Sequence, residues 1–142
     1  MVLSLRIKNK KISQYLAIGF GFPFVWIGFQ HFLDPDWFVP IVPSVFDDPY
    51  FVVYFSGALE ILFGFSIMIP RWRKISGYLL ALLLLILYWA NLNMWINNIP
   101  INGVHFTFSQ HVGRLFIQLL LILFSLFIAC SSPSMHSFNN RE

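Results

Sequence analysis

The stretch that decides the fold runs from Ile75 to Ile96 and reads ISGYLLALLLLILYWANLNMWI. It contains no charged residue, is almost pure leucine up to Tyr88, and becomes polar only at Asn91 and Asn93. A helix rises ~1.5 Å per residue and a hydrocarbon core is ~30 Å thick, so this stretch is long enough to cross a bilayer. It therefore predicts a membrane-spanning helix at about residues 75–96.

Three more apolar runs of similar length lie at about residues 14–33, 50–70 and 112–130. Hydrophobic residues make up 58% of the chain and charged residues 11%, against about 25% charged in ordinary soluble domains. A soluble core of this chain length leaves too much surface in water to hide so many apolar side chains. The sequence predicts an all-α bundle of four transmembrane helices, a single integral membrane domain over residues 1–142, with the lipid bilayer as its first partner.

The basic residues set the expected topology because they cluster at helix ends. Eight of the nine fall on one side of the predicted bundle: Arg6, Lys8, Lys10, Lys11, Arg71, Arg73, Lys74 and Arg141. Only Arg114 lies on the opposite side, where the first connecting loop carries four aspartates. By the positive-inside rule, both termini are expected in the cytoplasm and the two longer loops outside. Such clusters are not one basic face, so the net charge of +3 does not indicate nucleic-acid binding.

Two helices each carry glycines beside a polar residue on one face: Gly21, Gly28 and His31 in the first, and Gly57, Glu60 and Gly64 in the second. Small residues around a polar one let another membrane helix approach closely. The polar residues of all four helices fall at depths that allow them to line one pocket opening outward. The predicted pocket residues are His31, Glu60, Asn91, Arg114 and Gln118.

Glu60 is expected at the floor of this pocket, about 15 Å down its helix from Tyr50. A carboxylate at the centre of a membrane helix costs a few kcal/mol, so it should have a partner or be protonated. One interpretation is a group that binds a ligand or handles a proton. The other is a structural hydrogen bond to Gln118, Asn91 or Arg114 that fixes the helix register, and both stay open.

The sequence gives little support for a disulfide, a metal site or an enzyme active site. Cys130 is the only cysteine, which excludes an internal disulfide or a paired-thiol redox site. A metal site needs three or four ligands that converge at fixed distances. The spacing of His31, His105 and Glu60 along the chain does not bring them together, so no metal site is predicted. No nucleophile, phosphate-loop or metalloprotease motif occurs. The sequence therefore predicts no catalytic residues, no cofactor of its own and no self-contained enzyme.

The first long loop is rich in prolines and aromatic residues. Four prolines deny it a long helix, and its apolar side chains are unsuited to a free surface loop. It is expected to fold back over the outward end of the bundle, either as a lid on the pocket or as a plain plug. The phenylalanines at positions 20, 22, 24 and 29 are expected to face lipid.

Several ordered elements resemble the DoxX-like family of small four-helix membrane proteins. They are Gly28 with His31-Phe32-x-x-Pro35-x-Trp37-Phe38, Ser56-Gly57-x-x-Glu60, Ala90-Asn91-x-x-Met94, and Arg114-x-x-x-Gln118. The resemblance spans about residues 26–118. His31, Glu60, Asn91, Arg114 and Gln118 match the family pattern.

The resemblance implies an accessory or small-molecule-binding subunit of a quinone-linked redox system in the bacterial cytoplasmic (inner) membrane. It implies a quinone as ligand and a membrane or peripheral redox enzyme as partner. The alternative is a structural or assembly protein without activity. A proton-linked carrier or stand-alone enzyme using Glu60 is less favoured, since Leu79 to Leu87 offers no polar path. A homo-oligomer is also considered, because polar residues that line a pocket within one chain and polar residues between two chains give the same sequence pattern.

Overall fold

The computed structural model describes residues 10–132. Four long helices account for most of them: α1 (Lys10–Leu33), α2 (Pro49–Met68), α3 (Arg73–Ile96) and α4 (Phe108–Ser131). All four are long and apolar enough to cross a membrane, and residues 10–132 form no strand, only an isolated bridge between Ile101 and Val104. The predicted all-α fold, with four helices long and apolar enough to cross a membrane, is confirmed. Arg6, Lys8 and Arg141, which entered the topology prediction, lie outside the described residues.

Helix α4 begins earlier than the predicted 112–130 segment. Thr107 and Gln110 form a reciprocal cap: the Thr107 N–H donates to Gln110 Oε1 at 2.8 Å, and the Gln110 N–H donates to Thr107 Oγ1 at 3.4 Å. This Thr-x-x-Gln pattern satisfies two backbone groups that a helix start otherwise leaves unpaired. The helix therefore starts at Phe108.

Helices α1 and α2 pack through their glycines, with the two backbones in contact. A Cβ atom on Gly28 would lie 2.7 Å from the Gly57 carbonyl oxygen, and one on Gly64 would lie 2.9 Å from the Gly21 carbonyl oxygen. No side chain fits at these positions without moving one helix. The small-residue faces predicted from the sequence are the faces that meet.

Helices α3 and α4 also approach closely at a small residue, but with one glycine at the contact rather than several. Gly77 faces Ser125 and Ala129, and the Ser125 hydroxyl donates to the Gly77 carbonyl at 2.8 Å. Beside this contact lies the main apolar core, which includes Phe20, Phe24, Ile67, Leu80, Leu83, Leu84 and Ile128. This core joins the two helix pairs.

The expectation that all four α1 phenylalanines face lipid is wrong for two of them. Phe20 and Phe24 are buried, whereas Phe22 and Phe29 are 62% and 50% exposed. Because a helix repeats every ~3.6 residues, positions 20 and 24 fall on the same side as Gly28. They are therefore carried into the core by the glycine contact.

The turn between α2 and α3 is secured by the buried side chain of Arg73. Its guanidinium donates to the carbonyl oxygens of Ile67 (3.0 Å) and Met68 (3.2 Å), which lie at the end of α2. It also donates to Ser13 Oγ at 3.1 Å and to Gln14 Oε1 in α1. One charged side chain thus caps α2 and ties together three helices.

The cap loop, residues 34–48, packs on the opposite end of the bundle. It contains two 3-10 turns, Pro35–Trp37 and Val39–Ile41. The Tyr50 hydroxyl donates to Asp36 Oδ1 at 2.6 Å, and Asn93 Nδ2 donates to the Ile41 carbonyl at 3.1 Å. These bonds fasten the cap loop to α2 and α3.

Candidate binding cavity

A cavity of about 310 Å³ lies beneath the cap loop, between the four helices. All five predicted pocket residues line it: His31 from α1, Glu60 from α2, Asn91 from α3, and Arg114 and Gln118 from α4. Most of the remaining wall is apolar. The cavity thus has the size and the few converging polar groups of a small-molecule site.

Glu60 lies in this cavity with one carboxyl oxygen unsatisfied. The residue is only 6% exposed, and no group among residues 10–132 donates a hydrogen bond to its Oε2 atom. His31 Nδ1 lies 3.6 Å from this oxygen, which is too long for a hydrogen bond. His31 instead donates its Nδ1 proton to the Ile27 carbonyl at 2.8 Å.

The structural hydrogen bond considered for Glu60 is not formed by the three residues named as its partners. Gln118 Nε2 donates to the Leu84 carbonyl at 2.6 Å. Arg114 donates to Met94 Sδ at 3.1 Å, and its guanidinium lies 4.9 Å from the centre of the Phe106 ring. Asn91 lines the cavity, but no bond joins it to Glu60 within the described part of the chain.

The Arg114 guanidinium therefore interacts with only two weak partners, a thioether and an aromatic ring. A thioether is a weak hydrogen-bond acceptor, and an aromatic face adds a further modest attraction. The guanidinium has five N–H donors, so it keeps donors for an oxygen of a bound molecule. Arg114 and Glu60 offer a donor and an acceptor in one cavity.

The cap loop supplies an aromatic cover that the sequence interpretation did not assign to the pocket. Phe38 stacks on the His31 ring at 3.8 Å between ring centres and 18° between planes. Trp37 meets Phe38 edge-on at 4.9 Å, and both line the cavity. His31, predicted to line the pocket at the outward end of α1, is only 6% exposed. In the sequence, the pair of aromatic residues between Pro35 and Pro40 was the signal that could have indicated this aromatic cover.

The other described histidines lie apart from this cavity. His105 Nδ1 bonds to the Asn98 carbonyl at 3.0 Å. His111, at the start of α4, stacks on Trp95 with 5.3 Å between ring centres. Across residues 10–132, no three or more His, Cys, Asp or Glu side chains group in a way that could hold a metal ion.

The fold and the cavity define the class as a four-helix integral membrane protein with a partly polar internal cavity. The chain belongs to a family described as a domain of unknown function (DUF8561), whose sequence model matches residues 20–129. That range contains every residue that lines the cavity. No curated protein and no solved structure matches the chain. The resemblance to the DoxX-like family is carried by the motifs alone.

Proposed function

We propose that this DoxX-like protein binds a small amphipathic molecule in the cavity, as an accessory subunit of a quinone-linked membrane redox system. The observation that carries the proposal is the buried Glu60 Oε2, to which no group among residues 10–132 donates, in a cavity of ligand size. A buried polar atom without a partner costs about 1–3 kcal/mol. A ligand that donates a hydrogen bond to Glu60 removes that cost.

The ligand to test first is a quinone in its reduced form. A quinol carries hydroxyl groups on opposite sides of a flat ring, which suits a carboxyl oxygen at Glu60 and a guanidinium at Arg114. Trp37 and Phe38 add aromatic walls on which a flat ring packs well. The same features suit an accessory subunit, because they bind a molecule without supplying a catalytic group.

The proposed orientation places the cap loop outside a bacterial cytoplasmic membrane and both termini in the cytoplasm. The α2–α3 turn carries Arg71 and the first turn of α3 carries Lys74, whereas the cap loop carries aspartates. This is the asymmetry of the positive-inside rule. The test uses a Cys130→Ser background in intact cells and a membrane-impermeant maleimide. Asp47→Cys should be labelled from outside and Arg71→Cys should not, and the reverse pattern contradicts the orientation.

A structural or assembly role is the second candidate function. It is favoured by the backbone contacts at Gly28 and Gly64, which make the α1–α2 pair a rigid unit. A proton-linked carrier is less favoured, because the apolar core around Ile67, Leu80 and Leu84 fills the bundle beyond the cavity. A carrier requires a path to the other side.

The proposed function is tested by native mass spectrometry of the protein extracted gently from its own membrane. We expect a stoichiometric quinone, or a redox enzyme among the co-purifying chains, with the wild type. With Glu60→Leu the small molecule should be lost while a partner chain bound to the outer surface stays. Phospholipid alone on the wild type, with no partner chain, would favour the structural role.

A further inference from the structure

We propose, resting on the proposed function, that the ligand is a bilayer-dissolved molecule with an apolar tail that enters sideways between α1 and α4. Its head occupies the cavity and donates a hydrogen bond to Glu60, while its tail stays in the gap between the two helices. This assigns the ligand class, a tailed amphiphile, and the route by which it arrives.

The first argument is the uneven exposure of the cavity wall. On the α2 and α3 side, Val53, Glu60 and Leu84 are 2%, 6% and 4% exposed, and the other lining residues of these two helices are buried or half-buried. Of all the residues that line the cavity, the single exposed one is Ile27 of α1, at 41%. The wall of the cavity therefore reaches the lipid-facing surface of the bundle at α1.

The second argument is the way the helices pair. Helix α1 packs along α2, and α4 packs along α3, with far less contact between α1 and α4. The ring contact between α1 and α4, Phe20 with Phe124 at 4.9 Å, lies about 15 Å along α4 from Arg114. At the level of the cavity both helices contribute to its lining, α1 through His31 and α4 through Arg114.

The third argument is that the aqueous end of the cavity is covered. Phe38 stacks on His31, and Ile41 of the cap loop is buried in a small apolar cluster with Met94 and Ile101. The bonds to Asp36 and to the Ile41 carbonyl hold the cap loop in place. A water-borne ligand must displace these contacts, whereas a lipid-borne one meets the exposed Ile27.

The chemistry of the gap matches a tail rather than a second polar group. Ile27 is apolar, and Leu121 of α4 also lines the cavity. Apolar surface contributes roughly 25 cal/mol per Å² when removed from water, but a tail moving from lipid into this gap gains little by that route. The tail thus serves to hold the head at the right depth in the bilayer, while Glu60 and Arg114 select the head.

The experiment compares two probes that share one ring: decylubiquinol, and the same quinol without its tail, measured anaerobically on the protein in lipid nanodiscs. Per amount of probe added, we expect the tailed probe to bind about tenfold more tightly, or better, because its tail holds the head in the bilayer at the depth of the gap. Ile27→Trp should slow association of the tailed probe about fivefold or more by filling the gap. Ile18→Trp is the matched control, because Ile18 is also 41% exposed on α1 but does not line the cavity.

Ile27→Ala widens the same gap at little risk to folding, and it should speed association of the tailed probe. Equal binding of both probes, or equal rates in Ile27→Trp and Ile18→Trp, would overturn sideways entry and leave the binding function standing. Failure of the wild type to bind either probe would instead overturn the proposed quinol ligand, and the entry route with it.

Discussion

The two ends of the bundle differ in whether their buried polar groups have hydrogen-bond partners. Towards the α2–α3 turn the polar groups are paired: Arg73 caps α2 through Ile67 and Met68, and Ser125 bonds to Gly77. Towards the cap loop, Glu60 has an unsatisfied carboxyl oxygen beside a cavity. The same helices run through both ends, so the difference comes from the side chains that they present.

The difference separates what holds the fold from what serves the site. In a bilayer the hydrophobic effect gives little drive for one helix to join another, so close packing and hydrogen bonds do this work. The paired end has both, whereas at the cavity end the close glycine contact of α1 and α2 lies beside a carboxyl oxygen with no donor among residues 10–132. Substitutions at the paired end or in the glycine contact should therefore reduce stability, whereas those of the polar side chains that line the cavity should change binding.

The largest loss of stability is expected from Arg73→Met. The change leaves the Ile67 carbonyl oxygen without its Arg73 donor, whereas the Met68 carbonyl keeps a hydrogen bond from Gln14 Nε2 at 2.9 Å. An orphaned buried group costs about 1–3 kcal/mol, and the bonds from Arg73 to Ser13 and Gln14 of α1 are lost as well. A total loss of about 3 kcal/mol should appear in the unfolding of purified protein by SDS in mixed micelles. The exposed Arg71→Met is the control and should stay within about 0.5 kcal/mol; equal effects would refute the capping role of Arg73.

Gly28→Ala should come next, because its new Cβ would lie 2.7 Å from the Gly57 carbonyl oxygen. Overpacking of this kind costs typically about 1–3 kcal/mol, and the same SDS titration measures it. Gly19→Ala on the same helix meets nothing within 4 Å, so it should be neutral or stabilise by up to about 1 kcal/mol. A Gly28→Ala protein as stable as Gly19→Ala would show that α1 and α2 are not held backbone to backbone.

Ser125→Ala should have the smallest effect at the paired end. Hydrogen bonds between membrane helices average about 0.6 kcal/mol in double-mutant cycles, and Ser125 makes one such bond, to the Gly77 carbonyl. Ser125→Cys, which keeps a weak donor, should fall between the wild type and alanine. A loss above about 2 kcal/mol would mean that packing, and not this bond, decides the position.

The helices and the pocket residues were predictable because both depend on position along a helix. Run length identifies a membrane span, and depth with helical period brings Glu60, Asn91 and Gln118 to one level. The burial of Phe20 and Phe24 was missed because apolar residues in a membrane helix suit lipid and core alike. In such helices the glycines and the polar residues, and not the apolar ones, distinguish the two faces.

The contacts of the cap loop and the partners of the polar side chains were beyond sequence reasoning. The stacking of Phe38 on His31 depends on where an irregular loop lies, which no periodic pattern encodes. Likewise Gln118 bonds to a backbone carbonyl and Arg114 to a thioether, although each had been considered as a partner for Glu60. Carbonyl groups are present at every residue, so the sequence cannot show which one a side chain will meet.

The most direct test of the account is one substitution, Glu60→Leu, measured in two ways. If Glu60 serves a ligand, removing an unsatisfied buried carboxyl should leave stability unchanged or raise it by about 1 kcal/mol in the SDS titration. Affinity for decylubiquinol in nanodiscs should at the same time fall at least about tenfold. A clear loss of stability with unchanged affinity would contradict the account and make Glu60 a structural residue.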